Sequence, residues 1–288
     1  MLTRYADIIV FYAISLILMC LFTLLIFYSP LLANLIAPFV MFAPLVGVIM
    51  ANKLITKRKL SDFGIKIGII SPKLIVLALA YPFMVLFVSI LISAPFFKID
   101  LSMQAFFSQL KKVSEEYNIP FEVLLYAQIA QLIIAPLFNM IFAFGEESGW
   151  RGFLFQRLLE ETDMNKALII TGILWGIWHW PLIFAIGYNY RIPGEEIPSI
   201  EIRIAGAFLF LIFTIAFGIF LVWLRLEGKS VLMPSLAHGA VNAYLGFGSF
   251  IILTNNRLIG YPAGIIPIIS IVLLTLPFYI LISKKYSK

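Results

Sequence analysis

The sequence has very few of the residues that soluble proteins use on their surfaces or in metal and disulfide sites. Only 12% of the 288 residues are charged and 62% are hydrophobic, with one cysteine, two histidines and a mean hydropathy of +1.01. A soluble domain is about a quarter charged. The single Cys20 excludes an internal disulfide and a cysteine-rich metal site. This composition indicates a polytopic membrane protein.

Other absences narrow the function classes. There is no His-Glu-x-x-His pattern of a metalloprotease helix. No basic stripe alternates with aromatics, so nucleic acid is excluded as a partner. No Gly/Ser-rich linker or repeat divides the chain, which predicts one membrane domain over 1–288 with a motif-bearing core at about 121–250. The first apolar run, about 6–28, exceeds a signal-peptide core and lacks a cleavage site, so we expect it to be a retained helix.

Long apolar runs are abundant, and eight of them reach the ~20 residues that a transmembrane helix needs. We therefore predict an all-α polytopic membrane protein with about eight transmembrane helices that enclose a polar site, and a tight hairpin near 28–32. The predicted spans are 6–28, 31–51, 72–97, 121–145, 166–187, 204–225, 230–253 and 261–283.

The lysines and arginines predict the orientation of these spans. If eight helices alternate, 15 of the 21 basic residues fall on the side of both termini and six on the other. Basic residues concentrate on the cytoplasmic side of membrane proteins. We expect a multi-pass cell-membrane protein with both termini cytoplasmic and the first acidic motif near that face. The minority side holds Lys98, Lys111, Lys112, Arg191, Arg203 and Arg257.

Two further patterns bear on the fold. Segment 101–118 places Phe106, Leu110, Val113 and Tyr117 at helical spacing opposite charged residues, which predicts a short interfacial helix on the outer surface, with a substrate lid as the alternative. Prolines within the predicted spans free backbone carbonyls and indicate kinked helices around a cavity. They are Pro44, Pro82, Pro136, Pro181 and Pro277.

The first candidate motif is Glu146-Glu147-Ser148-Gly149-Trp150-Arg151 at the end of an apolar run. Ionisable groups in hydrocarbon cost ~2.5–3.5 kcal/mol each on insertion scales, so they commonly mark sites. Glu147 and Arg151 are four apart and share a helix face as an ion pair. Glu146 is then left without a local partner, which suits a general base. The alternative is that both acids are interfacial charges at a helix end.

The two histidines lie in other apolar runs. His179 has an aromatic surround, Trp175-Gly176-Ile177-Trp178-His179-Trp180, which favours a neutral ring that hydrogen-bonds or ligates a metal. His238 and Asn242 are four apart on one face, and the small Gly239 and Ala240 allow another helix to approach closely. A core histidine and an interhelical hydrogen-bonding pair are the respective alternatives.

Taken in order, Glu-Glu-x-x-x-Arg, aromatic-x-x-x-His and His-x-x-x-Asn resemble the CPBP (Abi) family of intramembrane proteases, which includes CAAX prenyl endopeptidases and bacteriocin-immunity proteins. The resemblance covers about residues 140–245. One departure is Trp175, where the family commonly has phenylalanine.

The resemblance implies a role for each residue. Glu146 would activate a water with the help of His179, and His238 with Asn242 would donate hydrogen bonds to an oxyanion. Glu147, Arg151 and Trp175 would support them. It also implies a membrane-associated, prenylated protein or peptide substrate that loses a C-terminal tripeptide near the cytoplasmic face. No cofactor is expected; zinc held by Glu146, His179 and His238 is the alternative, and Asn242, a poor zinc ligand, favours the metal-free version.

Two other function classes stay open at this point. A transporter or proton-coupled channel would use the same buried acids and histidines to carry an ion. A non-catalytic bacteriocin-immunity or scaffold protein would use the fold only for binding. The absence of paired interrupted segments in two halves argues against a transporter.

Overall fold

The computed structural model of the protein describes residues 2–191 and 195–286, and it is almost wholly α-helical. Its only two strands there, β1 (Lys98–Ile99) and β2 (Ile252–Leu253), pair antiparallel. The helices are α1 (Ala6–Tyr28), α2 (Pro30–Ile36), α3 (Ala43–Ala51), α4 (Pro72–Ser93), α5 (Gln104–Tyr117), α6 (Phe121–Glu147), α7 (Phe155–Glu161), α8 (Met164–Trp178), α9 (Trp180–Ile186), α10 (Ile200–Gly228), α11 (Leu232–Tyr244), α12 (Gly248–Ile251) and α13 (Ile265–Tyr286).

The fold class predicted from composition is confirmed. In the described ranges, seven helical segments are long and apolar enough to cross a membrane, and large apolar side chains are exposed along them, as lipid contact requires. The segments are Ala6–Tyr28, Ala37–Thr56, Pro72–Ser93, Phe121–Glu161, Met164–Ile186, Ile200–Gly228 and Ile265–Tyr286. The protein is an integral membrane protein.

The predicted span 230–253 is not one long helix. The 13 residues of α11 extend only about 20 Å, and a 3₁₀ turn and α12 follow. The segment nevertheless crosses the bundle: the Val231 amide donates to the Gly64 carbonyl at 2.9 Å, and at the other end the Asp100 amide donates to the Ile251 carbonyl at 2.8 Å. The crossing is completed by irregular backbone because protein surrounds it.

Eight crossings bring both termini to one end of the bundle, which we call the terminal end. It holds residue 4, loop 52–71, α7, residues 227–231 and residues 285–286. Arg4 pairs with Glu161, Arg58 pairs with Glu160 at 2.8 Å, and the Ile69 amide donates to the Gly228 carbonyl at 2.7 Å. Lys285 bonds Glu227 at 2.9 Å. We call the other end, with β1, β2 and residues 187–191 and 254–264, the opposite end.

The predicted span 31–51 is also interrupted. It comprises α2, a 3₁₀ segment (Ala37–Phe42) and α3, and a proline lies in the first turn of each new segment, Pro38 and Pro44. Proline cannot donate to the preceding turn, so the helix restarts there. The expected re-satisfaction of freed carbonyls occurs at Pro136 in α6, where the Leu132 carbonyl accepts a hydrogen bond from the Tyr244 hydroxyl.

Helices α6 and α11 run antiparallel in close contact, as the small residues after His238 predicted. A Cβ built on Gly239 would lie 2.6 Å from the Pro136 carbonyl oxygen and 2.5 Å from the Met140 nitrogen. Only glycine permits this approach. The contact sets His238 against the C-terminal part of α6.

Helix α5 confirms the predicted helical pattern at the opposite end. Leu110 is buried, and the Phe106 ring lies 5.5 Å from that of Phe250 and 5.9 Å from that of Phe247. Tyr117, which the pattern placed on the apolar face, is 65% exposed because the helix ends there.

Candidate active site

Helices α6, α8, α10 and α11 meet around a cavity of about 600 Å³, which we call the site cavity. Its polar wall contains four of the predicted residues. Aromatic and aliphatic side chains of α1, α9 and α10 contribute to the remainder. The four polar residues are Glu146, His179, His238 and Asn242.

Glu146 lies on this wall and is 3% exposed. Its Oε2 accepts hydrogen bonds from the indole nitrogens of Trp175 at 2.8 Å and Trp150 at 3.3 Å. The sequence predicted no local ion-pair partner for Glu146 and did not point to these two indole donors. Two neutral donors orient the carboxylate without neutralising it, and no hydrogen bond to Oε1 is found in the described part of the chain.

Glu147 points away from Glu146, as helical geometry requires of neighbours. Its Oε1 accepts from Arg151 Nη1 at 3.0 Å and lies 2.8 Å from His238 Nδ1. All three residues are nearly or fully buried. The predicted Glu147–Arg151 pair is therefore present, and His238 joins it through a contact between residues 91 apart, which local spacing does not reveal.

Arg151 also contacts the site from behind. Its guanidinium carbon lies 3.9 Å from the centroid of the Trp175 ring, and its Nε and Nη2 are buried without hydrogen-bond partners. A desolvated cation over an indole face is attractive by ~2 kcal/mol. Trp175 therefore connects the two carboxylates: its ring covers Arg151 and its N–H bonds Glu146.

His179 occupies the break between α8 and α9. Pro181 lacks the N–H that would continue the helix, so the predicted span 166–187 divides at His179. His179 Nδ1 lies 2.9 Å from the Trp175 carbonyl oxygen. A carbonyl only accepts, so Nδ1 carries the proton and Nε2 offers a lone pair. The rings of Trp178 and Phe210, each 4.8 Å away, pack edge-on against the imidazole.

Asn242, one turn after His238, is exposed to the cavity, and its side-chain amide makes no hydrogen bond in the described ranges. A π-helical segment, Ser148–Leu154, follows the two acids and carries Arg151. π-Helical turns are rare and concentrate at functional sites. Ser148 Oγ in this segment is buried without a hydrogen-bond partner among the described residues.

Tyr188 is a wall residue that the sequence did not single out. Its ring stacks on His179 with centroids 6.0 Å apart and planes 13° apart. Although Tyr188 is 37% exposed, desolvation of its hydroxyl, aided by the charge of Glu146, raises its pKa to about 12. The phenol therefore keeps its proton at neutral pH. Tyr188 lies outside the three motifs, and nothing in the local sequence marks it as a site residue.

The alternative zinc ligands, Glu146, His179 and His238, all line the site cavity. Across residues 2–191 and 195–286, no three His, Cys, Asp or Glu side chains are grouped so that they could hold one ion. Glu146 bonds two indoles, and His238 uses Nδ1 for Glu147. Glu146 Oε1 and the Nε2 atoms of His179 and His238 make no hydrogen bond in the described part of the chain.

The cavity opens at the opposite end. Its outermost lining residues include Tyr188, Asn189, Gly246, Pro262 and Ala263, all in connections at that end. His179 follows the 15 residues of α8, about 22 Å from the terminal end, and precedes the seven of α9, about 10 Å from the opposite one. The acidic motif, which the sequence placed near the face of the termini, is followed by the π-helical segment, whose Phe153 ring contacts that of Phe63 in loop 52–71 at the terminal end. The lining residues on the far side of the cavity lie at the opposite end.

The comparisons with known proteins match this part of the chain. The family model described as Type II CAAX prenyl endopeptidase Rce1-like matches residues 127–244, which contain all the candidate residues. A CAAX prenyl protease 2 of Methanococcus maripaludis is 33% identical over 99 residues, 34% of this chain and 34% of that protein. The match thus spans about a third of the curated relative. The resemblance read from the motifs is confirmed for this segment.

Proposed function

We propose that the protein is an intramembrane endopeptidase in which Glu146 activates a water molecule that attacks a peptide carbonyl. The observation that carries the proposal is the shared wall of the site cavity: an oriented carboxylate, a neutral imidazole, a second imidazole and a free carboxamide face one space. A general base beside two hydrogen-bond donors is the arrangement that peptide hydrolysis by water requires.

The reaction uses the two oxygens of Glu146 differently. Oε2 is held by the indoles of Trp150 and Trp175, and Oε1 takes a proton from water as the water oxygen bonds to the carbonyl carbon. His179 Nε2, with Nδ1–H donating to the Trp175 carbonyl, accepts a hydrogen bond from the other O–H of the water and aligns the nucleophile. Glu146 then passes its proton to the amide nitrogen as the C–N bond breaks.

His238 and Asn242 stabilise the oxyanion. His238 Nδ1–H donates to the Glu147 carboxylate. The other ring nitrogen, Nε2, donates only when the ring carries both protons. A protonated His238 brings the formal charge of Glu146, Glu147, Arg151 and His238 to zero. Removal of a donor of this kind costs ~2.7–4 kcal/mol of transition-state stabilisation.

The relative's name supplies the first substrate class to assay, a prenylated Cys-a-a-X tail that loses its last three residues. The site cavity is compatible with an apolar chain because Met19, Phe22 and Phe213 are among the side chains that line it. Lipid and a membrane-associated polypeptide are the proposed partners.

The test compares purified Glu146→Ala and His179→Ala with the wild type on a farnesylated Cys-a-a-X peptide in detergent. We expect both variants to elute as folded protein and to lose cleavage by about 10²–10⁴-fold, the contribution of a positioned base. Full activity in either would refute the assignment. Chelator treatment of the wild type separates the two chemistries: water activation by protein groups alone survives it, and a zinc mechanism does not.

The two competing classes make different predictions. Ion flux in proteoliposomes that survives Glu146→Gln would favour a transporter. A bacteriocin-immunity or scaffold protein would keep its physiological effect in a Glu146→Gln strain.

A further inference from the structure

We infer that a groove beside the site cavity binds the free C-terminal carboxylate of the substrate polypeptide, and that Arg191 and Arg257 hold it. The inference rests on the proposed function and concerns the part of the substrate that follows the scissile bond. Three features of the groove carry it. The groove is continuous with the site cavity, its charged wall residues among those described are two arginines, and neither arginine has a carboxylate partner there.

The groove has a volume of about 630 Å³ and lies between helix α5 and the site cavity. The two spaces share five wall residues, which are Tyr188, Asn189, Asn242, Gly246 and Pro262. Asn242 is one of the proposed oxyanion donors, and the Tyr188 ring stacks on His179 with centroids 6.0 Å apart. A polypeptide whose scissile carbonyl lies at Asn242 therefore continues directly into the groove.

The groove wall combines apolar side chains with carboxamides. Helix α5 supplies Phe106, Leu110 and Val113, and the rings of Phe247 and Phe250 lie 5.9 and 5.5 Å from that of Phe106. The carboxamides are Gln109, Gln128, Asn189 and Asn242. Apolar walls suit aliphatic side chains, and a carboxamide can both donate to and accept from a peptide backbone. This composition suits a short peptide segment.

The charge of the groove is of one sign. Arg191 and Arg257 lie on its wall, and no aspartate or glutamate of the described ranges lines it. Acidic residues are nevertheless present in the surrounding segments, at Glu115, Glu116, Glu122, Glu195 and Glu196. The last two line a neighbouring cavity that both arginines also border. The groove itself is therefore positively charged and complementary to an anionic part of the substrate.

Both guanidinium groups are held by backbone carbonyls and not by carboxylates. Arg191 Nε donates to the Glu195 backbone carbonyl at 2.8 Å, and Arg257 Nη1 donates to the Tyr261 carbonyl at 3.1 Å. Neither guanidinium forms an ion pair in the described part of the chain, and Arg257 Nε is buried without a partner there. Burial lowers the pKa of Arg257, and the charge of Glu195 opposes this only in part. A carboxylate in the groove would supply the missing counter-charge.

A chain terminus is the carboxylate that fits this position. A planar guanidinium presents parallel N–H donors that match the two oxygens of a carboxylate. Arg191 lies only three residues after Tyr188, in a turn where the amides of Tyr190 and Arg191 donate to the Gly187 carbonyl at 2.8 Å. Three extended residues span about 10 Å, so a short tail that begins beside His179 and Tyr188 reaches this turn. The substrate class is a polypeptide that ends about three residues after the scissile bond.

The subsite is tested by binding, which needs no chemistry. A farnesylated Cys-a-a-X peptide with a free carboxylate is compared with the same peptide ending in an amide, on purified Glu146→Gln protein in detergent. We expect the acid to bind about ten- to hundredfold more tightly, as charge-assisted hydrogen bonds contribute. Arg191→Gln and Arg257→Gln, added to this background, should each lower the acid-to-amide ratio and together bring it close to one. Equal affinity for acid and amide before these changes would overturn the inference.

The matched control is Lys98→Gln. Lys98 is a basic residue of β1 at the same end of the bundle, exposed and outside the two cavities. This variant should keep the acid-to-amide ratio. A loss of the ratio equal to that of the arginine variants would show that the preference comes from the general charge of this end, and it would overturn the assignment to the groove.

A lipid phosphate is the competing anion for the two arginines. If it occupies the groove, added phosphatidylglycerol should change the affinity of acid and amide peptides equally, and the arginine variants should abolish that lipid effect. This result would overturn the inference. If the groove binds the peptide terminus, the acid-to-amide ratio should fall only in the arginine variants, with or without the lipid.

Cleavage by the wild type separates the subsite from the proposed function. We expect kcat/KM for the acid to exceed that for the amide by a factor similar to the ratio of affinities. Equal cleavage of the two peptides would overturn the subsite and leave the proteolytic proposal standing. A preference in binding without Glu146-dependent cleavage of either peptide would support the subsite and refute proteolysis of this substrate.

Discussion

Two adjacent glutamates lie in contrasting surroundings. Glu147 belongs to a sealed layer with Arg151 and His238, whose nitrogens lie 3.0 and 2.8 Å from its Oε1, and it is not among the described residues that line the site cavity. Glu146 belongs to the cavity layer, where neutral indoles hold one oxygen and the wall is open to a substrate. The same side chain is thus fixed as a structural ion in one layer and prepared for proton transfer in the other.

This difference follows from the geometry of the α-helix. Consecutive residues on α6 project about 100° apart, so the Glu-Glu pair necessarily serves two directions. The layers are joined through Trp175, whose N–H serves Glu146 while its ring covers Arg151, and through His238, which bonds Glu147 and lines the cavity. A variant in either layer should reveal which property, folding or chemistry, depends on it.

The largest expected effect on folding is that of Arg151→Met. It leaves the buried carboxylate of Glu147 without its cation, and breaking a buried pair from one side costs ~3–5 kcal/mol. We expect a markedly lower Tm in detergent. The matched control is Arg4→Met, which removes an exposed pair with Glu161, and exposed ion pairs contribute little to stability. Equal Tm values for the two variants would show that the sealed layer does not stabilise the fold.

Asn242→Ala tests the cavity layer without touching the sealed one. The amide has no protein partner to leave unpaired, so we expect an unchanged Tm. Loss of an oxyanion donor should lower kcat by about 10²–10³-fold. Steady-state kinetics on the cleaved peptide separate this from binding, and a rise in KM at constant kcat would assign Asn242 to substrate binding instead.

Trp175→Phe separates the two duties of this ring. The aromatic face over Arg151 is kept and the 2.8 Å bond to Glu146 is lost. Hydrogen bonds to charged groups are worth ~1.5–3 kcal/mol, so we expect kcat to fall by about tenfold or more. Trp150→Phe, which removes the 3.3 Å bond, is the comparison and should cost less. A larger loss from Trp150→Phe would reverse our assignment of the principal donor.

Tyr244→Phe should have the smallest effect. It removes the donor that satisfies the Leu132 carbonyl freed by Pro136, far from either carboxylate. A loss of ~0.5–1.5 kcal/mol in stability, read as a small fall in Tm, is expected with kcat unchanged. A fall in kcat would indicate that this part of α6 positions the site.

The sequence predicted the parts of this arrangement that depend on local spacing. The crossings at 6–28 and 121–145, the Glu147–Arg151 pair and the close contact at Gly239 all follow from helical periodicity, charge and residue size. The membrane fold follows from composition alone.

The features that could not be predicted depend on contacts between segments that are distant in the sequence. The Trp175 donor to Glu146 and the His238–Glu147 bond exist only once α8 and α11 pack on α6. The break at His179 was encoded by Pro181, but proline within a span does not reveal whether a helix kinks or restarts.

The most direct measurement compares Glu146→Gln with Glu147→Gln in one preparation, with cleavage rate and Tm read for each. We predict that Glu146→Gln lowers the cleavage rate about 10²–10⁴-fold at an almost unchanged Tm. Glu147→Gln should lower the Tm, because Arg151 and His238 lose their counter-charge. An active Glu146→Gln, or a Glu147→Gln as stable as wild type, would contradict the division of the two carboxylates between chemistry and folding.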